Sequence, residues 1–216
     1  MRSQLAISIA LLILFVAIVP FVCQAEIAVG VKKGDWIEYK VTVTGTVPQD
    51  HNITWARMEV TDVQGKAIDL NITTSFTNET LLPEKITLNL ETGVLGDDFI
   101  IPANLNYRDS FFDMHQGNIT IRDTGTKTVV GVDRTVVSGT TEQTAYVWDK
   151  TTGVLIEATT SFTGYTMTTV ADRTNMWTPM LFGLTPSFFF ILIAVAIVAI
   201  LVVVAALFMS RRKIAA

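Results

Sequence analysis

Residues Phe188–Met209, FFFILIAVAIVAILVVVAALFM, constrain this chain more than any other stretch. They contain no charged or polar side chain, no Gly and no Pro. At about 1.5 Å rise per residue, such a helix is long enough to cross a hydrocarbon core of about 30 Å. Arg211, Arg212 and Lys213 follow after Ser210. Basic residues flanking a span stay on the cytoplasmic side. The pattern therefore predicts one C-terminal transmembrane helix, with those three residues fixing its topology and 210–216 as a cytoplasmic tail.

The other terminus agrees. Met1 and Arg2 precede an apolar run, Leu5–Val19, then Pro20 and Cys23-Gln24-Ala25. This is the pattern of a secretory signal peptide, residues 1–25, cut between Ala25 and Glu26. An uncleaved anchor over Leu5–Val22 is the other reading and leaves the topology unchanged. Val22 stands where a lipoprotein signal wants a small residue, so Cys23 does not make a lipoprotein box. All 20 acidic residues lie between Glu26 and Arg173, with 12 of the 16 basic ones, so the middle carries a net charge of −8. That charge places the middle outside and argues against nucleic acid as a partner. Cys23 is the single cysteine, and an exported domain without disulfides points to a prokaryotic, archaeal surface protein rather than a eukaryotic ectodomain.

From Ile27 to about Asn175 one strand pattern follows another. Trp36–Thr44 alternates, with Ile37, Tyr39, Val41 and Val43 on one face and Glu38, Lys40, Thr42 and Thr44 on the other. Thr54–Val63 and Lys66–Phe76 flank a turn at Gln64-Gly65. Ile86, Leu88 and Leu90 alternate with polar neighbours. Asn118–Asp123, Lys127–Val130 and Arg134–Val137 are short strands between glycines. Thr144–Trp148 and Val154–Ser161 make a hairpin, and Tyr165–Val170 is a last strand. No helical window is long enough for a βαβ crossover. The fold class predicted is mostly β: an antiparallel sandwich or half-barrel ectodomain over 26–175. Thr supplies 30 of the 216 residues, which suits exposed strand faces. Phe99–Asp113 reads as an ordered loop crossing or capping the sheet. Residues 176–187 read as a stalk, with Trp177 and Phe182 as anchors at the headgroup level.

Four N-glycosylation sequons occur, at Asn52, Asn71, Asn78 and Asn118. With eight Asn and 38 Ser plus Thr, chance gives between one and two. On their strands Asn71 and Asn118 alternate with the core-facing set Leu70, Ile72, Ile119 and Ile121, so both point to solvent, where a glycan needs them. Other chemistry finds little support. Asp97-Asp98 reads as a solvated turn, since no run of acids supplies the six or so oxygens that Ca²⁺ takes. His51 and His115 read as loop residues without enough partners for zinc. Ser110 and Ser138 lack the context of an activated nucleophile. The expectation is a non-enzyme with no cofactor and no metal.

The string Trp148-Asp149-Lys150-Thr151-Thr152-Gly153-Val154-Leu155-Ile156-Glu157 is a hairpin in which Asp149 bonds turn amides and Gly153 supplies positive φ. Together with Gly34-Asp35-Trp36-Ile37-Glu38-Tyr39 and Ile101-Pro102-Ala103-Asn104-Leu105, it resembles archaeal exported single-span surface β-proteins of unassigned function. More distantly it is similar to lipoprotein-carrier half-barrels, whose concave sheet holds acyl chains. These residues and that resemblance lead to a single-pass type I membrane protein. Its β-domain, N-glycosylated at the cell surface, serves binding or envelope structure. Its partners are the lipid bilayer and envelope proteins or an apolar ligand. The alternative is a tethered carrier of an apolar or lipid ligand in a curved sheet, and that reading expects an apolar cavity under Phe99–Phe112.

Overall fold

The computed structural model describes residues 27–48, 52–77, 80–178 and 188–201. The domain is mostly β and antiparallel, as the alternation predicts. Its strands are β1 (Trp36–Gly45), β2 (Ile53–Gln64), β3 (Ala67–Phe76), β4 (Leu81–Asn89), β5 (Ser110–Asp113), β6 (Gly117–Thr120), β7 (Asp123–Val129), β8 (Val132–Thr140), β9 (Thr144–Asp149), β10 (Leu155–Phe162) and β11 (Tyr165–Thr174). Nine form one sheet in the order β4-β3-β2-β1-β11-β10-β9-β8-β7, while β5 and β6 pair separately. The sheet is thus two meanders joined where the first strand meets the last, with Ile37 opposite Thr174 and Gly45 opposite Tyr165.

The insertion between the meanders, residues 90–122, covers one face of the sheet. Side chains on that face alternate with solvated ones. Ile37, Tyr39 and Val41 are buried between exposed Lys40 and Thr42, and Ile68 and Leu70 are buried next to exposed Asn71. They join Ile100, Ile101 and Leu105 from the insertion, and Trp148, Leu155 and Ile156 from the second meander, in one hydrophobic cluster. Tyr39 lies 5.9 Å from the Phe99 ring, and its hydroxyl donates to the Leu155 carbonyl at 3.0 Å. Phe111 meets Trp148 edge-on at 5.7 Å. Burial raises the Tyr39 phenol above the ordinary tyrosine range. The Phe99–Asp113 segment is the ordered cover expected from the sequence, but its last four residues are strand β5.

Two expectations need correction. Trp177 is not part of a free stalk: it is 5% exposed and joins the core, with the Arg134 guanidinium 5.3 Å from its ring. Met176 packs there too. Asn175 ties this segment to the start of β1, its Oδ1 accepting the Trp36 N–H at 2.8 Å and its side-chain amide donating to the Gly34 carbonyl at 2.9 Å. Nor is Asp97-Asp98 wholly solvated, as described below. Residues 188–201 form a helix with Phe190, Val195 and Leu201 exposed. Among the described residues no helix is long and apolar enough to cross a membrane. Residues 188–201 alone reach about 21 Å at 1.5 Å each, short of a core about 30 Å thick. The rest of the expected span, Phe182, Arg211, Arg212, Lys213 and the signal peptide lie outside the described residues.

Candidate functional site

The sheet has two ends. At one, β2 hands over to β3, β4 runs into Leu90, and β9 turns into β10. The N-terminal segment also enters there and Trp177 leaves. A groove of about 1020 Å³ opens at this end. One wall is the N-terminal segment 27–29, tied to the insertion where the Ala103 N–H donates to the Ala28 carbonyl at 2.8 Å. Opposite it stand Phe112 and Asn118, cross-strand partners on the outer face of the β5–β6 hairpin. Leu90 and Glu91, from the end of β4, complete the rim.

The floor is the loop 102–109, held open by its own bonds. The Asp109 carboxylate accepts the Asn106 N–H at 2.7 Å, and Lys150 Nζ donates to Asn106 Oδ1 at 2.7 Å. The Asn104 N–H donates to the Lys150 carbonyl at 2.7 Å. Asn104 and Arg108 take positive φ, 63° and 74°, which lets the loop turn twice within five residues. Arg108 spreads over the Tyr107 ring at 5.1 Å, and Lys66 Nζ donates to the Ile27 carbonyl. The charges in the lining balance: Lys66 and Arg108 against Glu91 and Asp109. Apolar Leu90, Phe112 and Val29 lie among amides from Asn104 and Asn118. Such a lining suits a ligand that is neutral overall and amphipathic.

A second cluster was not foreseen. Gly96, Asp97 and Asp98 all have φ between 53° and 58°, a left-handed run that L-residues rarely sustain. It aims Asp97 at water and buries Asp98 at 1% exposure beside Asp113, itself 2% exposed. Burial first, and the Asp113 carboxylate second, push Asp98 up to about 7; a bond from the Tyr146 hydroxyl works the other way. Asp98 Oδ1 has no hydrogen-bond partner among the described residues. Burial and Asp98 in turn raise Tyr146 above the ordinary tyrosine range. The Asp98 backbone carbonyl accepts Trp148 Nε1–H at 2.8 Å, which explains why this turn is drawn inward. Asp113 accepts the N–H groups of His115 and Gln116 at 2.7 and 2.6 Å. Among the described residues no group of three or more His, Cys, Asp or Glu is placed to hold a metal ion.

The residues singled out from the sequence are spread over the domain. Asn71 is exposed on β3, between Glu59 and Lys85 of the flanking strands. Asn118 is exposed in the groove wall. Asn52 is half-buried at the far end of the sheet, where its carbonyl accepts the Thr77 N–H at 3.0 Å. Asn78 and His51 lie outside the described residues, and His115 is exposed. Asp149 does what its turn motif predicts and more. Fully buried, it accepts the Thr152 N–H and hydroxyl at 2.7 and 2.8 Å and a two-pronged contact from Arg134 at 2.7 and 3.1 Å. Gly153, at φ 72°, leaves no room for a side chain; a Cβ there would stand 2.0 Å from the Ile101 carbonyl oxygen.

No protein-family model matches the chain, and no curated protein matches it. Among solved structures it is similar to the siderocalin Ex-FABP, described as functioning through dual ligand specificities. The identity is 9%, over 68% of this chain and 76% of that one, with a TM-score of 0.27. A likeness this slight carries no inference about function.

Proposed function

We propose that this protein is a surface-anchored binding module. Residues 1–25 direct export, the 188–209 helix anchors it, and Arg211, Arg212 and Lys213 keep the tail inside. Asn52, Asn71, Asn78 and Asn118 accept glycans. The β-domain binds a neutral, amphipathic ligand in the groove beside Phe112 and Arg108. The observation that supports this reading is the groove itself, charge-balanced and lying outside a core that is already full. The alternative carrier reading puts an apolar ligand on the covered face of the sheet. Ile100 and Ile101 fill that face at 0% exposure, so such a ligand enters only if the 99–105 segment leaves.

Gentle extraction of the full chain followed by native mass spectrometry separates the two. The binding reading expects a small polar adduct on the wild type. Phe112→Asp and Arg108→Asn, both surface changes, should weaken its retention about tenfold, the effect of losing roughly 1.4 kcal/mol. A lipid adduct indifferent to both substitutions would favour the carrier instead. Glycosylation has its own check. The intact mass from a glycosylating host should exceed the peptide value and drop by one glycan in each of Asn71→Gln and Asn118→Gln. A mass equal to the bare peptide removes that claim.

A further inference from the structure

We infer that the groove end of the domain rests on the bilayer, with Tyr107, Phe112 and Met114 as its interfacial contacts. This rests on the reading that 188–209 spans the membrane. Among the described residues outside the helix, large apolar side chains more than half exposed gather at two places. Tyr107, Phe112 and Met114, at 55%, 52% and 53%, belong to the insertion at the groove end. Leu81 and Leu82, at 59% and 52%, start β4 at the opposite end. Each is the kind of surface that seeks a partner. Chain connectivity decides between them.

Trp177, the last packed residue among those described, lies at the groove end. It sits on Arg134, which grips Asp149, and the next residue, Lys150, bonds Asn104 and Asn106 in the groove floor. From Trp177 to Phe188 the chain has eleven peptide steps, a reach of at most about 40 Å. To set the Leu81 end on the membrane, those steps would have to retrace the ten residues of β11, about 34 Å, and spend nearly all their reach doing so. The first described residue, Ile27, also lines the groove, so both termini of the domain lead away from this end.

The chemistry of the patch matches its place. Aromatic rings and cationic stems are the side chains that settle at a membrane–water interface, and Arg108 lies over Tyr107 here. The sequons do not choose between the two ends: the Asn78 sequon follows Thr77, which bonds Asn52 at the far end, and Asn118 lies in the groove wall. On this arrangement the groove opens at the headgroup layer, and its amphipathic ligand is met there.

The test uses the full chain in phosphatidylcholine vesicles, with Cys23→Ala removing the native thiol. An environment-sensitive nitrobenzoxadiazole dye is attached at Phe112→Cys, Met114→Cys or Leu82→Cys, each already exposed. The expected result is blue-shifted emission, protected from iodide, at 112 and 114, and red-shifted, quenchable emission at 82. Equal water exposure at all three sites, or protection at 82 alone, overturns the docking while leaving the anchor intact, provided the chain floats with the vesicles. A chain that stays at the bottom of the gradient refutes the anchor, and the docking with it.

Discussion

Arg134→Ala should lower the unfolding free energy of the domain by about 3 kcal/mol, the lower end of what breaking a buried ion pair costs. The reason lies in what it leaves behind. Asp149 is fully buried, and Arg134 Nε and Nη2 are its two cationic contacts, at 2.7 and 3.1 Å. Without them the carboxylate keeps, among the described residues, the Thr152 N–H and hydroxyl, which are neutral donors. Arg134 is itself 22% exposed on its side chain, so water entering the gap offsets part of the loss. The same guanidinium covers Trp177, whose indole N–H has no partner among the described residues. For a domain of this size the melting temperature should fall by about 10 °C. Asp149→Asn, which removes the charge but keeps an acceptor for Thr152, should cost less. A loss under about 1 kcal/mol for Arg134→Ala in denaturant titration would contradict the account, since that is the scale of an exposed pair.

Asp98→Asn should act in the opposite direction and stabilise the protein above neutral pH. Burial first, and the Asp113 carboxylate second, push Asp98 up to about 7, against 3.8 ordinarily. Between those values the folded chain holds a proton that the unfolded chain has released. Stability contributed by this group is therefore complete below about pH 4, falls as pH rises towards 7, and is level above. Asparagine has no such titration and tolerates left-handed backbone, so φ of 57° is no obstacle. The full shift corresponds to about 4 kcal/mol at 1.36 per unit. Relaxation and water entry around the ion reduce it, and a gain of about 2 kcal/mol at pH 8 is expected, with little change at pH 4. Unfolding curves for both proteins across that range supply the measurement. Parallel pH profiles would show that Asp98 is not the titrating group.

Much of the fold was legible because period-two alternation is a local property. Ile37, Tyr39 and Val41 had to share a face, and so did Leu70 and Ile72, whatever lay opposite them. Turn chemistry was equally readable: Asp149 and Gly153 perform in the hairpin what their residue types suggest. Burial of charge was not. Glu38 stands among the polar positions of β1, yet it is 6% exposed, because the register sets Arg57 of β2 and Arg173 of β11 on either side of it. Arg57 bonds Oε1 at 2.9 Å, and Arg173 comes within 2.8 Å of Oε2 without the alignment of a hydrogen bond. Trp177 misled for the same reason. An aromatic residue close to an apolar span reads as part of a stalk until a cationic partner from β8 is placed beside it.

By itself, the sequence determined most of the strands, though not β5 or the break at Ile121-Arg122 within the expected strand Asn118–Asp123. It also determined the core-facing set of Ile37, Tyr39 and Leu70, the exposure of Asn71 and Asn118, and the expectation of an anchored, exported β-domain. Each follows from side-chain type and spacing within a few residues. The pairing of β1 with β11, the filling of the sheet by residues 99–105, the groove beside Phe112 and the buried Asp98–Asp113 pair were decided only by tertiary structure. Each joins segments far apart in the chain, and no local pattern records which distant strand will supply the neighbour that hides a charge or leaves a cleft.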